Sequence, residues 1–585
     1  MKKLISLLLT TVVLLGVVCP LLCTAAPQAQ AVSPLSTALC VAKNEAAGLY
    51  GDVAVQHMTG QRYMLCLPGS ADPSKLYLSW PDSITVTDRL GTALISGQVP
   101  VKQFDIGTIA LRINGKDANI RVMQGSVGVR AMFLDTDPSI PGFDSFSNMN
   151  SDKTKNTEAA GTMRFGSGPD YYFSMKGRGN SNWRSAKKKP YNITIYKDST
   201  YDKKQSVSLI DGVEAKKWTL TANYYDDSLL RNRVGYGLAE ALGIGLKTDF
   251  VDLYVDGQYL GNYLLTPKND YKAPDNGFVV EIDNWIDNED PQFILDGMIE
   301  YHPTKDGYQH RITLKDNGAK LPNEEIEDYM QSAWDALLDE DSEEYLKYID
   351  LDSWAKYYLL HEFYKSFDVV CGSIIMHRDG TSENDKLIAG PVWDLDNAMG
   401  RVQNNADLGM RVEAQHSPEG WYISSVKGNV ATHFWLQQLG KQEGFMKRVY
   451  EIYNEHKAVF DGAADKLAAD ITLLTASAEM NERLPNATSG RPAIQSADNC
   501  GCTATYKWED FAQNLHTYVT KRAAFLSDNI PQQPTAPTPS VPATTGSGIT
   551  FTPVFDSNPL VPWLICGGIV FVVAAIITLI KHRKK

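Results

Sequence analysis

Residues 560–580 form a run of 21 residues without a charge, followed directly by Lys581-His582-Arg583-Lys584-Lys585. As a helix such a run extends ~31 Å, the thickness of a bilayer's hydrocarbon core, and the basic cluster after it has the character of a stop-transfer signal that stays inside. A buried core helix fits poorly, because apolar runs of that kind are typically about 10–14 residues and lack a basic tail. At the other end, Met1-Lys2-Lys3, the apolar residues 4–22 and the small residues from Thr24 to Ala31 read as a secretory signal, residues 1–31, cleaved near Ala26 or Ala31. Cys19 and Cys23 lack the small residue that precedes a lipoprotein cysteine, which disfavours lipid attachment. Residues 532–559, rich in Pro, Thr and Ser over 532–550, cannot collapse into a core and are expected to be a stalk. The expectation is a single-pass cell-membrane protein with its body outside, residues 560–580 as the membrane helix and residues 581–585 as the cytoplasmic tail.

The 585 residues are enough for three or four domains, and 43% hydrophobic residues with 21% charged is a globular balance. The formal charge is −13, and six of the basic residues sit at the two ends, so the body is more acidic still. Such a body repels phosphate backbones, which excludes nucleic acid as a general partner. Outside the signal and the membrane run stand Cys40, Cys66, Cys371, Cys500 and Cys502, compatible with one or two bridges in an oxidising compartment, and Cys40 with Cys66 is the natural pair. Cys500-Gly501-Cys502 has no second His or Cys cluster beside it, so a zinc site lacks its four ligands.

Residues 32–125 alternate apolar and polar side chains in short runs separated by Pro81-Asp82 and Asn114-Gly115, which predicts a small β domain of sandwich type. From 126 to 531 strands come first and helices later, with amphipathic spacing over 323–367 and 434–474, so an α+β body of two lobes is expected.

Three clusters carry candidate chemistry. In Lys176-Gly177-Arg178-Gly179-Asn180-Ser181-Asn182-Trp183, followed by Lys187-Lys188-Lys189-Pro190-Tyr191-Asn192-Ile193, two glycines allow backbone amides to approach an anion and the basic residues supply charge. The spacing is not that of a Walker A loop, and a hairpin with a solvated basic face is the plainer alternative. In Trp218-Thr219-Leu220-Thr221-Ala222-Asn223-Tyr224-Tyr225-Asp226-Asp227-Ser228-Leu229-Leu230-Arg231-Asn232, Asp227 or Ser228 is expected to cap a helix ending at Gly243, and Asp256-Gly257 marks a hairpin turn beyond it. In Gly390-Pro391-Val392-Trp393-Asp394-Leu395-Asp396-Asn397-Ala398-Met399-Gly400, two acids two apart would share one face of a strand, a hard-oxygen pair suited to Mg²⁺ or Mn²⁺; an exposed turn is the alternative.

Together these blocks, with D-L-Y-V-D-G-Q-Y-L-G-N-Y-L-L and G-F-V-V-E-I-D at 277–283, resemble the CotH family, the spore-coat-type atypical kinases, over about residues 126–530. The resemblance implies a distant two-lobed protein-kinase-like fold with a helical C-terminal lobe, which transfers phosphate from ATP to Ser or Thr of a surface protein. It implies Asp368 as the catalytic carboxylate, Asp394 and Asp396 with Ser373 at the metal, and Arg178, Asn180, Ser181, Lys188, Lys189 and Glu281 around the nucleotide. Phosphoryl transfer needs such a set: a carboxylate to orient the hydroxyl, another to hold the metal, and cations to offset phosphate charge. His377-Arg378-Asp379 with Asn384 also satisfies a kinase catalytic-loop spacing, but Asp379-Gly380 falls where a hairpin must turn, which favours Asp368. Two positions depart from the family pattern: Ser373 stands where Asn is usual, and Pro267 where Glu is common. A noncatalytic surface adhesin or scaffold of the same fold is therefore the alternative function. No acid pair singles out a carbohydrate hydrolase.

Overall fold

The computed structural model describes residues 39–102, 107–179, 181–268, 271–283, 291–297, 311–366, 369, 372–400, 417–425, 434–485, 487–488 and 507–531. The expected signal, stalk, membrane helix and tail lie outside these residues, as do Asp368, Asn180, Cys371, Cys500 and Cys502. Among the described residues no helix is long and apolar enough to cross a membrane. The fold is mixed α+β, with several sheets and a closed seven-stranded barrel.

The first strands form two sheets that share one core around Leu65, Leu67, Leu78 and Ile120. Asn114 and Gly115, with φ of 49° and 76°, turn the chain between Thr108–Ile113 and Lys116–Gln124. Both residue types tolerate the left-handed backbone that a tight hairpin requires. Cys40 and Cys66 are not bridged, contrary to the sequence expectation. Cys40 lies in the four-stranded sheet with its thiol 3.5 Å from Ser79 Oγ, while Cys66 is fully buried in the five-stranded one.

The barrel that follows was not apparent in the sequence. Its strands are Arg130–Thr136, Glu158–Phe165, Asp170–Gly177, Tyr191–Tyr196, Lys217–Thr221, Gln258–Pro267 and Asp249–Val255 in spatial order, and it closes by parallel pairing of the first with the last, Arg130 opposite Val251 and Leu134 opposite Val255. Alternate residues point inward: Phe173 and Met175, Ile193 and Ile195, Val251 and Leu253 fill the interior. Outward residues serve two neighbours. Ala131, Phe133, Tyr254 and Tyr259 enter the core of the N-terminal sheets, whereas Phe250 and Leu264 enter that of the helical body.

That body holds a five-stranded sheet, including Phe278–Asp283, Arg311–Asn317, Ile374–Arg378 and Ile388–Ala389, and helices Asn323–Leu338, Leu351–Tyr364, Glu443–Glu455, Ala463–Glu482 and Trp508–Asn529. Trp435 stands 5.9 Å from Trp334 and 5.8 Å from Trp354, ring centre to ring centre, at the heart of its core. The expected hairpin between 374 and 389 is present, with Met376 opposite Ala389.

Candidate active site

One cleft, about 430 Å³ with its open mouth, draws its lining from all three sequence clusters. Arg178, Lys188, Asp394 and Asp396 line it together. Asn182, Asn223, Tyr224, Asn232 and Tyr236 also line it, and sequence reasoning passed over these five. For Asn223, Tyr224 and Asn232 the signal that could have found them is the run of polar side chains between the strand Lys217–Thr221 and the helix Arg231–Ala241.

Arg178 follows the barrel strand Asp170–Gly177; its backbone N–H donates to Pro190 O (3.3 Å) and its guanidinium to Thr221 Oγ1 (3.4 Å). A Cβ on Gly177 would come within 2.6 Å of the Trp183 indole, so that glycine makes room for a buried ring, while Gly179 takes a φ of +77°. Trp183 in turn donates from Nε1 to Asp152 O at 2.7 Å. Lys189 does not line the cleft: its ammonium donates to Trp183 O (2.6 Å) and lies 4.2 Å from that ring's centre. Ser181 opens the short helix Ser181–Ser185.

Lys188 lines the cleft, but its ammonium is engaged by buried protein groups. It donates to the Asn262 carbonyl and to Asn481 Oδ1 (2.8 Å) and lies 4.6 Å from the Tyr263 ring centre. Burial lowers its pKa to about 7, against the raising influence of Asp252. Asp252 is itself buried, its carboxyl pushed up to about 6 by desolvation and held by Ser477, Asn262 and Tyr259.

Asp394 and Asp396 sit on a loop, not on the expected strand. Asp394 has a φ of +59° and is exposed, whereas Asp396 is buried. The backbone between them is gripped: Leu395 N–H donates to Asn232 Oδ1 (3.1 Å), and the Tyr364 hydroxyl lies between Leu395 O and Arg231 O, which share its one proton. Arg231, fully buried, donates to Asp226 Oδ1 (2.6 Å) and to Ala398 O (2.9 Å) and Met399 O (3.3 Å), tying the second cluster to the third. The expected cap at Asp227 or Ser228 is not formed: Leu230 is the N-cap of the helix Arg231–Ala241 and makes no side-chain bond there, while Asp226 Oδ2 accepts from Arg231 N–H at 2.8 Å. Burial lifts the Tyr236 hydroxyl to about 12; Arg178 opposes that rise and Asp394 and Asp396 add to it, so all three charges bear on one hydroxyl.

Two further expected residues lie apart from the cleft lining. Glu281 is in the five-stranded sheet, 5% exposed, with Lys315 Nζ 3.4 Å from Oε2. Ser373, with a φ of +58°, precedes Ile374–Arg378, and its carbonyl accepts from the Tyr357 hydroxyl at 3.5 Å. Asp379 is at the far end of that strand, with Nδ1 of His377 2.6 Å from its Oδ1, beside Asn384 in a separate hollow.

Among the described residues no three His, Cys, Asp or Glu side chains converge as a metal site. Two carboxylates on an open cleft nonetheless fit Mg²⁺ or Mn²⁺, which are commonly held by one or two carboxylates with waters and substrate phosphates completing the shell. None of the curated proteins compared with the chain matches it. A family model described as CotH kinase protein matches residues 175–526, a span that includes Arg178, the 223–232 network and both cleft aspartates, and the chain belongs to the CotH kinase family.

Proposed function

We propose that the chain is a membrane-anchored extracytoplasmic kinase that transfers phosphate from ATP to Ser or Thr hydroxyls of a surface or secreted protein. The observation that carries this reading is the convergence of Arg178, Asp394 and Asp396 in one cleft from segments more than 200 residues apart. In this reading the barrel and the helical body act as the two lobes of a kinase, with the cleft between them. Asp394 and Asp396 would hold Mg²⁺ or Mn²⁺, which when bound offsets charge on the phosphates. Arg178 supplies a fixed cation for the nucleotide, and Tyr224 offers an aromatic edge in the same lining. Asp368, four residues beyond the helix Leu351–Tyr364, is proposed to orient the acceptor hydroxyl. Signal, stalk and apolar C-terminal run support placement of the body outside the cell.

The test is incubation of the full-length chain in detergent with γ-labelled ATP and each divalent metal. Label on Ser or Thr, lost on chelation and in Asp368→Asn, is the expected result. Failure to bind ATP with any metal would falsify the kinase reading. It would favour the adhesin or scaffold reading, for which one observation speaks: the Lys188 ammonium is already engaged by Asn262 and Asn481.

A further inference from the structure

A chain of buried amides runs from the cleft wall to the acidic loop. At one end Leu395 N–H can only donate, so Asn232 must present Oδ1 to it, at 3.1 Å. Asn232 Nδ2 then faces Asn223 Oδ1 (2.9 Å), and Asn223 Nδ2 donates to Leu229 O (3.0 Å), which can only accept. Backbone groups at both ends fix the direction of both amides. Asn223 and Asn232 are 2% and 3% exposed, and Leu229 and Leu395 are buried, so water cannot replace a lost link cheaply. Asn223, Leu229 and Asp394 all adopt left-handed backbone, with φ of 48°, 62° and 59°. Non-glycine residues stay in that region only where surrounding contacts hold them.

We propose that Asn232 is a positioning residue for the metal: by holding the peptide between Asp394 and Asp396 it keeps both carboxylates turned to the cleft. The proposal rests on the kinase reading and adds to it which residue sets metal affinity. Asn232 need not touch the metal, and its effect passes through Leu395. Outer partners of this kind commonly shift metal affinity by roughly 10–100-fold.

The test is a Mn²⁺ titration of ATP binding by the full-length chain, in wild type, Asn232→Ala and Tyr364→Phe, each also measured with chelator. Gln442→Ala serves as a control; that buried amide donates to Leu337 O and Asp339 O, well removed from the cleft lining. The expected result is a Mn²⁺ midpoint raised about tenfold or more in Asn232→Ala and in the same direction in Tyr364→Phe, with binding under chelator unchanged and the Gln442→Ala midpoint equal to wild type. Equal midpoints in wild type and folded Asn232→Ala overturn the proposal and leave the kinase reading standing. A midpoint shifted as far in Gln442→Ala also overturns it, since metal affinity would then follow global stability. If Asn232→Ala does not fold, Tyr364→Phe decides, and an unchanged midpoint there overturns the proposal. A wild type without metal-dependent ATP binding overturns both readings.

Discussion

His361 lies in the last turn of the helix Leu351–Tyr364, 2% exposed, its ring 4.3 Å from that of Tyr357, and neither ring nitrogen has a hydrogen-bond partner. Burial lowers its pKa from 6.5 to about 3. Above pH 6.5 both folded and unfolded chains carry it neutral, so its contribution is level there. Between pH 6.5 and about 3 the unfolded chain takes up a proton that the folded one refuses, and stability falls by about 1.4 kcal/mol per pH unit. His361→Leu should therefore flatten the acid side of the stability profile, as measured by urea unfolding at pH 7 and pH 5. An unchanged profile would mean that another group sets the acid limit. Asp394 calls for a different substitution. Its φ of +59° suits Asp and Asn better than Ala, so Asp394→Asn removes the charge without new backbone strain. That variant should unfold at the wild-type temperature and lose metal-dependent ATP binding; retention of binding would remove Asp394 from the metal. The residue types of the cleft were readable from the chain, since two aspartates and an arginine in an acidic body invite the reading. The engagement of the Lys188 ammonium was not, because it depends on Asn481, nearly 300 positions away.

At the scale of elements, the helix Arg231–Ala241 shows why local rules reach only part of the way. Its end was legible: Gly243, with φ of 75°, donates to Glu240 O at 2.9 Å. Its start was placed two or three residues early, because the chain makes a further turn before Arg231, and Asp226 reaches over that turn to Arg231 N–H and pairs with the Arg231 guanidinium as well. Removing one member of a buried ion pair leaves the other charged and unpaired, at a cost of about 3–5 kcal/mol. Asp226→Ala should therefore lower the unfolding free energy measured by urea titration by that amount and loosen the acidic loop through Ala398 and Met399. A loss below about 1 kcal/mol would show that the pair relaxes into water. The helices over 323–364 and 434–474 were legible from their apolar spacing, whereas the helix Trp508–Asn529 was not anticipated. The acidic pair was misplaced on a strand because a D-x-D string carries no signal for the left-handed turn at Asp394. Barrel closure was beyond reach for the same reason of distance, since parallel pairing of 130–134 with 251–255 leaves no local mark.

Across the whole molecule, the N-terminal sheets are docked by more than chain connection. Ala54 N–H donates to Gly257 O (2.8 Å), Gln56 Nε2 to Tyr259 O (3.1 Å) and the Tyr254 hydroxyl to Cys66 O (3.1 Å), while Ser126 and Ser477 exchange hydrogen bonds at 2.8 and 3.1 Å. With Cys66 buried under this contact and unbridged, alkylation of the folded chain without reductant should spare it, and alkylation after denaturation should label Cys40 and Cys66 both. A Cys40–Cys66 cross-linked peptide by mass spectrometry would contradict the fold at this point. The same contact sets an order in time. The core of the N-terminal sheets is closed by Tyr254, Tyr259 and Met480, so a segment complete by residue 124 waits more than a hundred residues for its floor. Contacts of such long sequence separation form slowly and leave apolar surface open meanwhile. A chain cut at residue 245, which lacks Tyr254, Tyr259 and Met480, should therefore keep Cys66 reactive to alkylation, and the growing protein holds that face uncovered until the strands that carry the two tyrosines have been made.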